Sequence, residues 1–297
     1  MRPLLLAVLL AVPAGASETA AFLDIGAGAR ALGMGGAYTA LADDSDAVYW
    51  NPAGLARLEK RNASLSHAEL GSGNRHNFLS YAHPTSRATI AGAFTYLSYG
   101  TIEGRNALGQ RTGTVTASDA AAAVAAGVKT DLADLGVSVK LIRSHIAGSE
   151  AQGAALDAGV RRAIPVGGGK VALGAALRNI GPGLKYADQR NDLPLRAAFG
   201  AAYTLEKGHS VAVEYQNGPR GAGSEGGAGG EFKAMDGVFL RLGYTSKSSA
   251  AGGAGFDAAR GLTLGLGLKN KDFGLDYAAQ AAGELGNTHR FTLSARF

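Results

Sequence analysis

Apolar and polar side chains alternate with a period of two through most of the chain from residue 62 onward. In the last segment, residues 288–297, one face carries only apolar side chains, those of Phe291, Leu293, Ala295 and Phe297. Residues 238–245, 262–269 and 272–280 show the same alternation. Alternation sustained over eight or more residues indicates a β-strand rather than a helix. The pattern therefore predicts a chain built from β-strands.

About fourteen strands are expected between residue 62 and the end of the chain. They are predicted near residues 62–70, 74–83, 87–99, 116–129, 134–146, 151–164, 169–180, 194–206, 208–217, 226–235, 238–245, 262–269, 272–280 and 288–297. Short turns alternate with longer connections, which are predicted near residues 100–115, 181–193, 217–226, 246–260 and 281–287. Bacterial outer-membrane barrels have an even strand number, short periplasmic turns and longer external loops. The prediction is a transmembrane antiparallel β-barrel over residues 62–297.

A soluble exported β-protein would show the same alternation with its apolar face turned inward. The predicted strands are long, however, and the chain ends on Phe297, as barrels do when they present their last strand for assembly. We therefore interpret Phe291, Leu293, Ala295 and Phe297 as a C-terminal assembly signal. Charged residues interspersed with glycines occupy the opposite face, as a narrow polar lumen requires: Arg178, Arg196, Glu214, Arg241, Asp276 and Arg290. The barrel is favoured, and the soluble protein is kept as an alternative.

The N-terminus predicts export from the cytoplasm. Arg2 precedes an apolar run at residues 4–12, and Ala14-Gly15-Ala16 follows as an A-x-A cleavage site. The run is too short to span a bilayer as a helix. Residues 1–16 are therefore predicted to be a cleaved signal peptide, and the predicted location is the cell outer membrane.

Composition excludes several classes of function. The chain has no cysteine, which rules out disulfides, thiolate metal sites and cysteine nucleophiles. The six histidines have no zinc-like spacing. The net charge of +5 comes from dispersed Lys and Arg residues, so no nucleic-acid partner is expected. No Ser-His-Asp set or paired-carboxylate pattern emerges, and we predict no enzyme, no metal and no cofactor.

Residues 17–61 lack the alternation and are rich in glycine and alanine. Their sequence RALGMGGAYTALADDSDAVYWNPAGLA, at residues 30–56, strongly resembles the N-terminal signature of the PorV/PorQ family, relatives of the FadL/TodX-like outer-membrane transporters. Later phrases, among them LRNIGPG and LPLRAAFGAAYTL, fit as well. The resemblance implies a fourteen-stranded barrel with residues 17–61 folded inside the lumen as a hatch. The hatch motif comprises Gly33, Gly35, Gly36, Asp43, Asp44, Asp46, Trp50, Asn51, Pro52, Ala53 and Gly54.

Three expectations concern how such a hatch is held. Pro52 restricts the residue before it, so Asn51 should be extended with its amide free to bond the lumen wall. Asp43, Asp44 and Asp46 are expected to pair with inward arginines such as Arg196 or Arg241. Hatch and wall together could form a small apolar pocket, with candidate residues Phe22, Leu32, Met34, Tyr38 and Trp50.

The resemblance implies two competing roles. PorV-like relatives work with the type IX secretion machinery and receive or shuttle exported client proteins. FadL-like relatives pass hydrophobic molecules such as fatty acids and lipids through the barrel. Because most predicted inward side chains are small, polar or charged, the lumen looks unsuited to an apolar duct, and the secretion-linked role is favoured with passive transport as the alternative. The expected partners are outer-membrane lipids, the barrel-assembly machinery, and either secretion proteins and exported clients or a hydrophobic small molecule.

Overall fold

The computed structural model describes residues 19–186, 189–220, 223–246, 261–281 and 287–297. The predicted signal peptide, residues 1–16, lies outside the described residues. Most residues of the predicted connections at 246–260 and 281–287 also lie outside the described residues.

Fourteen antiparallel strands close into one barrel. They are β1 (Asn62–Leu70), β2 (Asn74–Pro84), β3 (Thr89–Arg105), β4 (Arg111–Lys129), β5 (Asp134–Ile146), β6 (Ser149–Val166), β7 (Gly169–Ile180), β10 (Arg196–Leu205), β11 (Ser210–Gly218), β12 (Gly223–Met235), β13 (Val238–Thr245), β14 (Leu262–Lys269), β15 (Phe273–Gln280) and β16 (Thr288–Arg296). A two-stranded hairpin, β8 (Leu184–Tyr186) and β9 (Gln189–Asn191), lies between β7 and β10. Neighbours in the chain are neighbours in the barrel, and β1 pairs with β16 to close it. The predicted fold is confirmed.

Two of the predicted connections are wrong. β3 extends to Arg105 and β4 begins at Arg111, so the loop expected at residues 100–115 is reduced to a turn at residues 106–110. Both faces of this hairpin are largely exposed, which explains why the alternation of apolar and polar residues fades there. β12 begins at Gly223, inside the loop predicted at residues 217–226. The glycines of this segment favoured a loop in the sequence-based prediction, but they lie in a strand that pairs with β11 and β13.

The apolar rows of the strands point away from the lumen. Leu264 and Leu293 are 55% and 58% exposed, whereas Arg241 and Arg290, on the opposite face, are 3% and 1% exposed. Apolar exposure continues around the strands and far exceeds the few hundred Å² that soluble monomers leave uncovered. The arrangement suits a barrel surrounded by hydrocarbon, and it is the reverse of a sandwich with a dry apolar centre.

No helix within the described ranges is long and apolar enough to cross a membrane.

The hatch, described from residue 19 to residue 61, folds into short helices that contact the inner wall. These are α1 (Ala29–Gly33), α2 (Ala47–Trp50) and the 3₁₀ helices Ala21–Asp24 and Pro52–Arg57. α1 packs against β14 and β15, and the helix Pro52–Arg57 packs against β4, β5 and β6. Met34, Tyr38 and Leu55 are completely buried between hatch and wall. The space inside the barrel is therefore filled largely by its own N-terminal segment.

Candidate functional site

The hatch runs from one end of the barrel to the other. We call one end of the barrel the long-loop end; it carries the connections after β1, β3, β5, β7, β11, β13 and β15. At this end the Thr19 amide donates to the Asp192 carbonyl at 2.8 Å. At the opposite end, here the short-turn end, the Arg61 amide donates to the Phe297 carbonyl at 3.0 Å, and β1 starts at the next residue. The lumen is therefore obstructed along its length.

Glycines of the inner wall let the hatch backbone approach the strands. A Cβ atom at Gly136 would overlap the backbone of Pro52 and Ala53, and one at Gly174 would lie 2.6 Å from the Thr39 carbonyl oxygen. We call the inward glycines at which a Cβ atom would meet the hatch the wall glycines: Gly127, Gly136, Gly159, Gly174, Gly200, Gly227, Gly229, Gly243 and Gly265. They were not predicted as site residues, although the alternation of glycine with outward apolar residues was the available signal.

The Asn-Pro-Ala element fixes the hatch to β6. Asn51 is extended, with φ −161° and ψ 102°, and is fully buried. Its Nδ2 donates to the Thr39 carbonyl at 2.9 Å within the hatch and to the Val160 carbonyl at 3.2 Å in the wall. Its Oδ1 accepts from the Ala53 amide at 3.1 Å and caps the helix Pro52–Arg57. One side chain thus joins two hatch segments and a strand.

The acidic residues of the hatch have partners other than the predicted ones. Asp43 accepts from Arg30 Nη1 at 2.6 Å, and Asp44 accepts from the Tyr38 hydroxyl at 2.6 Å. Asp46 accepts from the Ser80 hydroxyl at 2.9 Å. The expected pairs with Arg196 and Arg241 are wrong, because Arg30 on α1 reaches the acidic cluster from within the hatch.

Burial makes ionisation of this cluster unfavourable. It raises the pKa of Asp44, and the neighbouring charge of Asp43 raises it further. Burial likewise raises the pKa of Asp46 to about 7, with a smaller contribution from the charge of Asp44. Ser80 opposes this shift because its hydroxyl donates to the carboxylate.

The six charged residues predicted on the inner face all lie there, each at most 6% exposed: Arg178, Arg196, Glu214, Arg241, Asp276 and Arg290. Three of them form hydrogen bonds or ion pairs with the hatch. Arg196 forms an ion pair with Asp24, and Arg290 Nη1 donates to the Gly26 carbonyl at 2.7 Å. Glu214 Oε2 accepts from the backbone amides of Tyr38 and Thr39 at 2.8 and 2.7 Å.

Arg241 is connected to the hatch through Glu231. Glu231, in the neighbouring strand, accepts from Arg241 Nε at 2.7 Å and from Arg30 Nε and Nη2 of the hatch, both at 2.9 Å. Arg241 Nη2 also lies 2.7 Å from the Asp276 carboxylate. Glu231 therefore links a wall arginine to a hatch arginine inside the barrel.

The predicted apolar pocket is not formed as one unit. Phe22 packs in an apolar cluster toward the long-loop end, together with Leu97, Ile142, Leu184 and other residues. Met34, Tyr38 and Trp50 belong to a separate central cluster, and Leu32 lines a cavity of about 70 Å³ together with Trp50. The hatch separates these side chains because it folds into several short segments that face different parts of the wall.

One side of the lumen is apolar. The inward side chains of β3 and β4 include a row of small and apolar residues: Ala91, Ala93, Leu97, Ala121, Ala123 and Ala125. Part of this row encloses a cavity of about 20 Å³, together with Leu23, Val48, Tyr49, Phe78 and Thr95. Lys140 also lines the cavity, and its ammonium group is paired with Asp157 at 2.7 Å. We call this side, from the cluster around Leu97 to the cavity at Phe78, the apolar side. The sequence did not predict this apolar side, because the alanines of β4 were counted only as small residues.

A sequence-family comparison identifies the group to which the chain belongs. The model of an uncharacterised protein family, UPF0164, matches residues 14–217, more than half of the sequence. The chain belongs to UPF0164. No curated protein sequence matches this UPF0164 chain.

Three solved structures with a similar fold are described as transporters or channels. The toluene transporter TodX of P. putida is 12% identical, with a TM-score of 0.63, and the alignment covers 92% of this chain and 99% of TodX. The toluene transporter TbuX of Ralstonia pickettii is 14% identical, with a TM-score of 0.65 and coverage of 92% and 98%. The CymD monoaromatic hydrocarbon channel is 11% identical, with a TM-score of 0.60 and coverage of 92% and 97%. At these identities the likeness shows a shared fold. The UPF0164 barrel thus shares its fold with these transporter and channel structures, while the resemblance to PorV/PorQ and to FadL-like transporters stays a prediction.

Proposed function

We propose that this UPF0164 protein is a passive, non-enzymatic channel for small hydrophobic molecules in the outer membrane. The observation that carries the proposal is the apolar side of the lumen. An apolar cluster at the long-loop end continues along β3 and β4 to the cavity at Phe78. A polar-lined barrel with no such side would offer a hydrophobic solute no favourable surface. The shared fold with transporters of toluene and a channel for monoaromatic hydrocarbons supports the same solute class.

The outer surface of the barrel supports the proposed location in the outer membrane. The exposed apolar rows would contact lipid hydrocarbon, and the alternating C-terminal residues ending in Phe297 would be presented to the barrel-assembly machinery. The short-turn end would then face the periplasm and the long-loop end the exterior.

The described conformation corresponds to a closed channel. The apolar cavity measures about 20 Å³, whereas an apolar cavity of about 150 Å³ accommodates benzene. Passage therefore requires the hatch to move away from β3 and β4. The hatch residues to be displaced include Leu23, Val48 and Tyr49, which close the cavity.

Replacing Phe78 by Asn tests the apolar side. Phe78 is 2% exposed and lines the cavity, so an amide there places a polar group in the proposed route at a cost of about 1–3 kcal/mol. We expect Phe78→Asn to reduce uptake of labelled toluene about fivefold or more in a host whose own hydrocarbon channels are deleted. Phe239→Asn is the matched control, because Phe239 also faces the lumen but lies beside Lys269, away from the apolar side.

Both variants should be compared with the wild type at equal amounts of folded barrel, measured by heat-modifiable migration. Wild-type uptake no higher than that of the empty host would contradict the channel proposal. Equal uptake by Phe78→Asn and wild type would contradict the assigned route. The secretion-linked role implied by the PorV/PorQ resemblance stays a separate prediction, and it requires a type IX machinery in the same genome.

A further inference from the structure

A second cavity, of about 70 Å³, lies on the other side of the hatch from the apolar side. The hatch contributes Leu32, Tyr49 and Trp50 to its lining. The wall contributes two arginines, Arg178 of β7 and Arg290 of β16. The cavity therefore has an aromatic and apolar side and a cationic side.

Arg178 is only partly satisfied. The residue is only 3% exposed. Its guanidinium carbon lies 5.2 Å from the ring centre of Tyr49 and 5.4 Å from that of Trp50. Nη2 donates to Gln216 Oε1 at 2.6 Å. Nε and Nη1 are buried and have no hydrogen-bond acceptor among the described residues. Two donor groups of a buried cation at the edge of the cavity are therefore without an acceptor in the described part of the chain.

Arg290 has the same deficit on the other wall of the cavity. It is 1% exposed and donates from Nη1 and Nη2 to the carbonyls of Gly26 and Ile25, at 2.7 and 3.5 Å. Its Nε has no acceptor in the part of the chain that the structure describes. Carbonyl oxygens satisfy donors but do not neutralise the positive charge.

The carboxylates that line the cavity are already engaged. Glu214 accepts from two hatch amides and from Gln216 Nε2, the last at 2.7 Å. Asp24 and Glu225 both pair with Arg196. Within the described ranges, no carboxylate lies within ion-pair distance of Arg178 or Arg290. A buried guanidinium with unfilled donors is costly, and an anion at this position would relieve that cost.

We propose that this cavity binds a small carboxylate anion. Its oxygens would accept from Arg178 and Arg290, whose charge-assisted hydrogen bonds are the strongest that a carboxylate can form. Its apolar part would lie against Trp50 and Leu32. A volume of about 70 Å³ offers room for an anion of the size of acetate, since one water occupies about 30 Å³ of liquid. This site is separate from the apolar side, and it does not depend on hydrocarbon transport.

The chain contains a single tryptophan, Trp50, and because Trp50 lines this cavity, its fluorescence should respond to a ligand bound there. The full-length barrel in detergent should be titrated with sodium acetate at constant ionic strength. Sodium chloride and neutral acetamide serve as the ligand controls. We expect a saturable change with acetate and none with either control.

Arg178→Gln should weaken acetate binding about tenfold or more, because charged hydrogen bonds are lost while a polar side chain remains beside Gln216. Arg143→Gln is the control, since Arg143 is exposed on β5 and pairs with Glu150 at the long-loop end. It should bind acetate as the wild type does. If Arg178→Gln fails to give a heat-modifiable barrel, Arg290→Gln provides the same test.

Three results would overturn the proposal: a linear, non-saturating response to acetate, an equal saturable response to chloride, or unchanged acetate binding by the folded arginine variant. The first would mean that water alone fills the cavity. The second would mean that the site accepts any anion. The third would mean that the carboxylate binds elsewhere.

Discussion

A single methyl group added at Gly136 is expected to displace the hatch from the lumen wall. The Cβ atom of Gly136→Ala would overlap the backbone of Pro52 and Ala53. Backbone atoms cannot rotate away as a flexible side chain can, so either the helix Pro52–Arg57 or strand β5 must shift. Overpacking commonly costs about 1–3 kcal/mol, and a clash with backbone belongs at or above the upper end of that range. We expect the hatch to undock while the barrel, held by its strand pairs, still forms.

Ion conductance in planar bilayers measures this effect. The wild-type barrel, with its lumen filled, should conduct almost nothing, and Gly136→Ala should open frequently or remain open. Gly230→Ala is the matched control, because the nearest atom to a Cβ at this strand glycine is the Ser210 carbonyl oxygen at 3.9 Å. It should remain closed. A Gly136→Ala barrel as closed as the control would show that the wall glycines do not seat the hatch.

The second large effect is expected at Glu231. This carboxylate joins Arg30 of the hatch to Arg241 of the wall, and it is 5% exposed. Glu231→Gln removes the negative charge that the two guanidinium groups share and leaves Arg30 with Asp43 and Arg241 with Asp276. Breaking a buried ion pair in this way costs about 3–5 kcal/mol. We expect a lower temperature for the heat-modifiable transition and faster proteolysis of the hatch.

Two comparisons show whether charge is the cause. Glu150→Gln removes an exposed carboxylate that also pairs with an arginine, at 2.6 Å, and should leave stability almost unchanged, because exposed ion pairs contribute little. Glu231→Asp keeps the negative charge between Arg30 and Arg241 and should lose less stability than Glu231→Gln. An equal effect of Glu231→Gln and Glu150→Gln would argue against a structural role for the buried link.

Much of the barrel could be predicted because each strand is constrained on both faces. Lipid-facing positions require large apolar residues, whereas lumen-facing positions have little room for them because the hatch fills the lumen. The alternation is therefore strong in β13, β14 and β16. It is weak in β12, where the inward glycines Gly227 and Gly229 contact the hatch and the outward face also carries small residues. Strand pairing holds that segment together, and sequence periodicity cannot reveal pairing by itself.

The contacts of the hatch were less predictable. The extended Asn51 follows from the local restriction that Pro52 imposes, so residue types suffice to anticipate it. The partners of Asp43 and Asp46 depend on how α1 and β2 are placed in three dimensions, which residue types do not encode. The wall glycines are likewise defined by a backbone more than 70 residues away in sequence, as Gly136 and Pro52 illustrate.

The most direct test of the account is disulfide formation between hatch and wall, since the natural chain has no cysteine. The Ala29 amide lies 2.8 Å from the Thr292 hydroxyl, which faces the lumen, whereas the adjacent Leu293 is exposed on the outer face. We expect the pair Ala29→Cys and Thr292→Cys to form a disulfide in intact membranes, and the pair Ala29→Cys and Leu293→Cys to remain reduced. Disulfide formation only by the second pair, or by neither, would contradict a hatch folded inside a barrel whose apolar face is turned outward.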